Sequence, residues 1–159
     1  MWSVLIVTPE SLLTKKTTWV IVADESAAAI YVRKSRRGSL TELFTLTNEV
    51  GRKKTGDLIS DRGGRSFDSH GQGRHTMVKE KSGPKKRATV AFAKKLAGRA
   101  NKAMHDGTCD EIALIAAPRF LGVLRDAFAK TGNVNPVLTI DKEMVGQDAV
   151  VIEKLLAEY

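Results

Sequence analysis

Two short runs rich in β-branched and aromatic residues, Thr18 to Ala23 and Ala28 to Val32, lie close together in "TTWVIVADESAAAIYVRK". The polar residues Asp24, Glu25 and Ser26 between them supply a turn, so the pair predicts a hairpin. A third run, Leu40 to Leu46, alternates Leu40, Glu42, Phe44 and Leu46 with threonines and Leu43, following "SRRGS". Three neighbouring strands on short connections predict an antiparallel meander.

Further along, "GPKKRATVAFAKKLAGRANKAMHDG" changes to helical patterning. Ser82 can cap, Pro84 suits the first turn, and Gly107 suits the end. Ala88, Phe92, Leu96, Ala100 and Met104 recur every four residues as an apolar stripe, with Lys85, Lys86, Lys94, Lys95, Arg99 and Lys102 largely off it. "EIALIAAP" is a continuous apolar run, the pattern of a strand covered on both faces. Pro118 then opens a helix to about Lys130, with Phe120, Leu121, Leu124, Ala127 and Phe128 on its buried side. Pro136 to Ile140 predicts a strand, and Gln147 to Glu158 a last helix packing through Val150, Val151 and Leu155. The order βββ-α-β-α-β-α predicts an α/β fold. Its single mixed sheet has three antiparallel strands extended by right-handed βαβα crossovers and flanked by helices, as in release-factor and ribonuclease-H-like domains.

The segment 49–83 interrupts this patterning. Its centre, "SDRGGRSFDSHGQGRHT", holds four glycines, three arginines and two histidines, with Phe67 as its only large apolar side chain. Such a stretch cannot bury enough hydrocarbon to offset the cost of ordering its backbone. A loop of this length inside a compact domain is functional or disordered.

Charge sharpens that reading. The 159-residue chain has a net charge of +8, and 42% of its residues are hydrophobic, the composition of a globular domain. Between Gly51 and Lys102 there are 15 Lys+Arg against 4 Asp+Glu, whereas the rest of the chain has 11 against 14. All of the surplus positive charge therefore sits in one third of the sequence, which points to a polyanionic partner, nucleic acid first. The plain alternative is a solvated basic face that aids solubility. The single cysteine, Cys109, excludes an internal disulfide framework, and Asp106, Asp110 and Glu111 nearby oppose thiolate formation, so it is read as structural. The start "MWSVLIVTPESLL" has no positive charges ahead of its apolar run and no small-residue cleavage site. With no segment near 18 uninterrupted apolar residues, the expectation is a cytoplasmic protein without a membrane span.

The landmarks "TTWVIVADESAAAIY", "SDRGGRSFDSHGQGRH", "FAKKLAGRANKA", "IALIAAPRFLGVLRDAF" and "TIDKEM" occur in a fixed order. Together they resemble the bacterial host attachment protein family over residues 17–159, leaving 1–16 as an N-terminal extension. The resemblance implies a fold like the central domain of archaeal and eukaryotic peptide-chain release factors. In those proteins a Gly-Gly-Gln loop lies between the third strand and the following helix, where this chain carries its Gly-rich segment. The motif is not intact here: Gly63-Gly64 is followed by Arg65, and Gln72 is preceded by Gly71 and His70. Loop position and fold carry over; Gln72 is only a weak catalytic candidate.

The residues then predict RNA or ribosome binding, related to translation. Gly63, Gly64, Gly71 and Gly73 allow close backbone approach, Arg62, Arg65 and Arg74 offer planar forks for phosphate, and His70 and His75 can donate or stack. Lys85, Lys86, Lys94, Lys95 and Arg99 would hold the phosphate backbone beside the loop. A different class of reading is an accessory protein for surface attachment that acts by protein–protein contact. A third is a Mg²⁺-dependent ribonuclease-H-like nuclease built on Asp24 and Asp141, although Asp at strand ends is commonly a turn or cap residue. Neither a metal site nor a cofactor is expected: His70 and His75, even joined by Asp61 and Asp68, fix no ligand geometry. Ser66 and Ser69 lack a nucleophile elbow, and "GQGRH" lacks the frame of a P-loop. Arg119, at the helix start after the fourth strand, is a minor ligand candidate, and Arg125 reads as a surface residue.

Overall fold

The computed structural model describes residues 16–52, 83–132 and 134–159. Its elements are β1 (Thr18–Ala23), β2 (Ala27–Arg33), β3 (Thr41–Thr47), the four-residue helix α1 (Glu49–Arg52), α2 (Gly83–His105), β4 (Glu111–Ala116), α3 (Pro118–Thr131), β5 (Leu138–Asp141) and α4 (Ala149–Ala157). They build one mixed five-stranded sheet in the order β3-β2-β1-β4-β5. β1–β2 and β2–β3 pair antiparallel, while β1–β4 and β4–β5 pair parallel, as the alternation and the apolar run at β4 predict.

Central position explains composition. Every residue of β1 is buried because β1 lies between β2 and β4 with helices over both faces. On one face Trp19, Ile21, Ile30, Ile112 and Leu114 pack against α2 and α3 through Phe92, Leu96, Phe120 and Leu124. On the other, Val20, Val22, Tyr31, Ala113 and Ile115 meet Ile140, Met144 and α4 through Ile152, Leu155 and Leu156. Phe92 and Phe120 stack at a centroid separation of 5.9 Å, joining α2 to α3.

Four local expectations are corrected. Leu40, Glu42, Phe44 and Leu46 do not share one face. Ile30 pairs with Phe44 but Tyr31 pairs with Glu42, so Leu43 is an extra residue, a β-bulge. Phe44 and Leu46 then join the α2 side and Leu40 the α4 side. In α4, Val150 (58% exposed) and Val151 (40% exposed) point outward, because Ile152, Leu155 and Leu156 at spacings of three and four define its buried face. In α2 the strict four-residue stripe drifts off a helix of about 3.6 residues per turn, so the buried face is Thr89, Phe92, Ala93, Leu96, Ala97, Ala100 and Ala103, with Ala88 and Met104 at its margins. Segment 49–83 also opens with the helical turn α1 rather than with loop. The end of α2 follows its sequence signal. Gly107 has φ +75°, and the Gly107 and Thr108 amides donate to the carbonyls of Met104 and Ala103, closing a Schellman motif.

Candidate nucleic-acid interface

Helix α2 carries seven Lys and Arg in 23 residues and no Asp or Glu. Its buried face is set by the core, so the cations are left to the solvent side and to the helix start. Lys86, Arg87, Lys94, Lys95 and Lys102 are exposed. Arg87, Lys94 and Lys102 lie at successive two-turn steps, so with about 1.5 Å rise per residue the row from Arg87 to Lys102 spans about 22 Å. Ala91 and Gly98 fall between them, and a Cβ built on Gly98 would meet nothing within 4 Å.

This charge works against the helix. Lys85, Lys86 and Arg87 sit in the first turns, where the helix dipole favours anions, and each misplaced cation there costs about 0.3–1 kcal/mol. Lys95 with Arg99, and Arg99 with Lys102, are like-charge neighbours costing about 0.2–0.5 kcal/mol each. Compensation is sparse. Among the described residues the only ion pair made by α2 is Lys85 Nζ to Glu25 Oε2 at 3.9 Å. The Arg99 guanidinium lies 4.9 Å from the centroid of the Phe44 ring, a cation–π contact that holds it against β3.

The described residues on either side of segment 53–82 meet at the β1–β2 turn. Asp24 Oδ1 accepts the amides of Ser26 (2.7 Å) and Ala27 (2.8 Å) and the Ser26 hydroxyl (2.8 Å), which fixes the turn. On the outgoing side, the Asn48 side chain donates to the Glu25 carbonyl at 2.9 Å and the Asn48 amide to the Ser26 carbonyl at 2.7 Å. Gly51 sits so close that a Cβ there would lie 2.2 Å from the Glu25 carbonyl oxygen. On the returning side, Lys85 faces Glu25. The basic helix therefore begins beside the same turn that α1 packs on.

A crevice of about 560 Å³ opens at the same place, lined by Asp24, Glu25, Ser26, Gly51, Ala117, Pro118, Arg119, Phe120 and Glu143. It lies beyond the carboxyl ends of the parallel strands β1 and β4, where open α/β sheets hold ligands. Partial desolvation raises the Glu143 pKa above its ordinary value, the Val145 amide opposes this, and the Asp24 carboxyl adds a smaller upward push. Asp24 and Asp141 are the residues on which the nuclease reading rests; Asp24 commits its Oδ1 to the turn, and Asp141 ends β5. Among the described residues no group of three or more His, Cys, Asp or Glu side chains is arranged to hold a metal ion. Cys109 is buried, and desolvation, then Asp110, pushes its thiol pKa up to about 11.

The predicted site residues divide accordingly. Arg62, Gly63, Gly64, Arg65, His70, Gly71, Gln72, Gly73, Arg74 and His75 lie outside the described residues. Lys86, Lys94 and Lys95 stand on the exposed surface of α2, Lys85 is drawn to Glu25 and Arg99 to Phe44. Arg119 lines the crevice and Arg125 is exposed. The sequence reading passed over Arg87, although its seven-residue spacing from Lys94 marks it as a member of the same solvent row. No helix among the described residues is long and apolar enough to cross a membrane.

No curated protein matches the chain at a significant level. Residues 19–156 match a protein family described as "Protein required for attachment to host cells". That span takes in every described strand and helix but for the first residue of β1 and the last of α4, and the chain belongs to this host attachment family.

Proposed function

We propose that the protein binds the phosphate backbone of structured RNA, the ribosome foremost, through the solvent face of α2 together with the glycine- and arginine-rich segment that precedes it in the sequence. The observation that carries this reading is a 23-residue helix with seven cations, no acidic residue and one described ion pair. Its charge opposes helix stability in both ways just described, so folding does not account for it; an external polyanion does. Small residues at 91 and 98 leave room for a backbone to lie along the helix between the long lysine and arginine side chains. The family description names a requirement for attachment to host cells. That is a phenotype, and RNA binding is the molecular step we propose beneath it.

Setting aside Arg99, which is held on Phe44, five exposed cations on α2 (Lys86, Arg87, Lys94, Lys95 and Lys102) give a quantitative expectation. Neutralising about five phosphates makes log K fall against log salt with a slope of about −3.5 to −4.5. The experiment is filter binding and ribosome co-sedimentation across a salt series, with wild type and a Lys94→Glu/Lys95→Glu variant. Binding at 50 mM salt that decays with this slope, and is lost on charge reversal, supports the reading. Salt-independent binding, or none at low salt, removes it and leaves the basic face as a solubility device or a protein-contact surface.

A further inference from the structure

A second cationic site lies at the end of the sheet opposite the β1–β2 turn and shares no residue with the α2 face. A cleft of about 990 Å³ opens among the start of β1 at Thr18, the end of β2 at Arg33, the start of β4 at Glu111, the start of β5 at Leu138, and α4. Its cations are Lys16, Arg33, Arg36 and Arg37, and its carboxylates are Glu111, Glu153 and Glu158. Two of those carboxylates are already engaged. Glu111 faces Lys16 Nζ at 3.1 Å, and Glu153 Oε1 accepts the Leu40 amide at 2.7 Å.

Arg33 is the residue left over. It is half-buried, its Nη1 donates to the Arg36 carbonyl at 2.8 Å, and its Nε is buried with no hydrogen-bond partner among the described residues. Desolvation, and then the neighbouring Arg36, lowers its pKa below the ordinary arginine value, while Glu111 opposes this only as the smallest contribution. A guanidinium withdrawn from water next to a second cation is costly unless an anion completes the site. Arg36 and Arg37 stand exposed on the same rim. Behind the cations, Leu138, Leu156 and Tyr159 give the cleft an apolar side. The volume falls in the range of small-molecule sites, about 300–1,000 Å³.

We infer that this cleft binds a phosphate monoester carrying a planar or apolar body, a mononucleotide being the form that uses both halves. The Arg33, Arg36 and Arg37 guanidinium groups take the phosphate, for which their planar forks are suited, and the Leu138, Leu156 and Tyr159 side takes the ring. The same chemistry is offered by a free nucleotide and by the 5′-phosphate end of an RNA chain.

Calorimetric titration of the full chain with AMP, adenosine and inorganic phosphate tests it. AMP is expected to bind, with adenosine and inorganic phosphate each at least about tenfold weaker, since each lacks half of the contacts. Arg36→Ala/Arg37→Ala alters only exposed side chains, so folding is spared, and it weakens AMP about tenfold or more. Lys94→Glu/Lys95→Glu leaves AMP affinity unchanged, which separates this site from the RNA-binding face. A short RNA with a 5′-phosphate that binds more tightly than AMP, and more tightly than its 5′-hydroxyl counterpart, assigns the natural source to RNA ends. No heat with AMP at millimolar concentration, or equal affinity in wild type and the double-arginine variant, overturns the site. Inorganic phosphate binding as well as AMP overturns the ring-binding half.

Discussion

Helices α2 and α3 lie on the same face of the sheet, bury their apolar sides into one core cluster and touch through Phe92 and Phe120. On their outer sides they differ. α3 offsets Arg119, Arg125 and Lys130 with Asp126, whereas α2 has seven cations and no carboxylate. Both do the same structural work, so packing on this sheet does not require the charge of α2. What α3 lacks and α2 has is surplus to folding, and that surplus is what the proposed partner would use.

The largest effect should be shared by the two helices. Leu96 and Leu124 are both sealed in the core. Leu96→Ala and Leu124→Ala should each cost about 2–5 kcal/mol in chemical denaturation; a much smaller loss at Leu96 would mean that α2 is not part of the core, and the comparison would fail. High pH probes the same cluster. The Cys109 thiol, raised to about 11 in the fold from an ordinary value near 9, is neutral when native. Its contribution to stability is therefore fully present below about pH 9 and is lost as pH rises through about 11. Thermal melts across that window should fall for wild type and stay flatter for Cys109→Ala. Equal slopes would remove the assignment.

Smaller effects separate the outer faces from the core. Gly98 in α2 and Gly122 in α3 are mid-helix glycines with nothing within 4 Å of a built Cβ. Gly98→Ala and Gly122→Ala should each raise stability by up to about 1 kcal/mol. Only the first should also weaken RNA binding, because only α2 is proposed to lie against the ligand. Smallest of all, Arg99→Gln relieves two like-charge contacts at about 0.2–0.5 kcal/mol each but removes the Phe44 contact, worth about 0.5–1 kcal/mol. Its net effect on the melting curve should be within about 0.5 kcal/mol; a larger loss would place Arg99 in the fold rather than at the interface.

The sheet was legible in the sequence because its central strands are continuous apolar runs with marked ends. Thr18–Ala23 is the strand the pattern predicts, and Pro118 starts α3 where its fixed backbone angle suits a helix. The edge was harder. The Leu43 bulge leaves no mark in an alternating pattern, and it decides which side of the sheet Leu40 and Glu42 occupy. Charge was legible as a quantity but not as a set of partners. Lys85 and Glu25 are 60 positions apart, Arg99 reaches back to Phe44, and the Arg33 cleft draws on several separate elements. Contacts closed by tertiary folding have no period to read.

The most direct test is RNA affinity against salt for two matched charge reversals, Lys94→Glu/Lys95→Glu on α2 and Arg119→Glu/Arg125→Glu on α3. The α2 variant should lose affinity, with its salt slope shallower by about 2, one for each phosphate contact removed, while the α3 variant stays close to wild type. Equal losses in both variants, or none in either, would contradict the assignment of the ligand to α2.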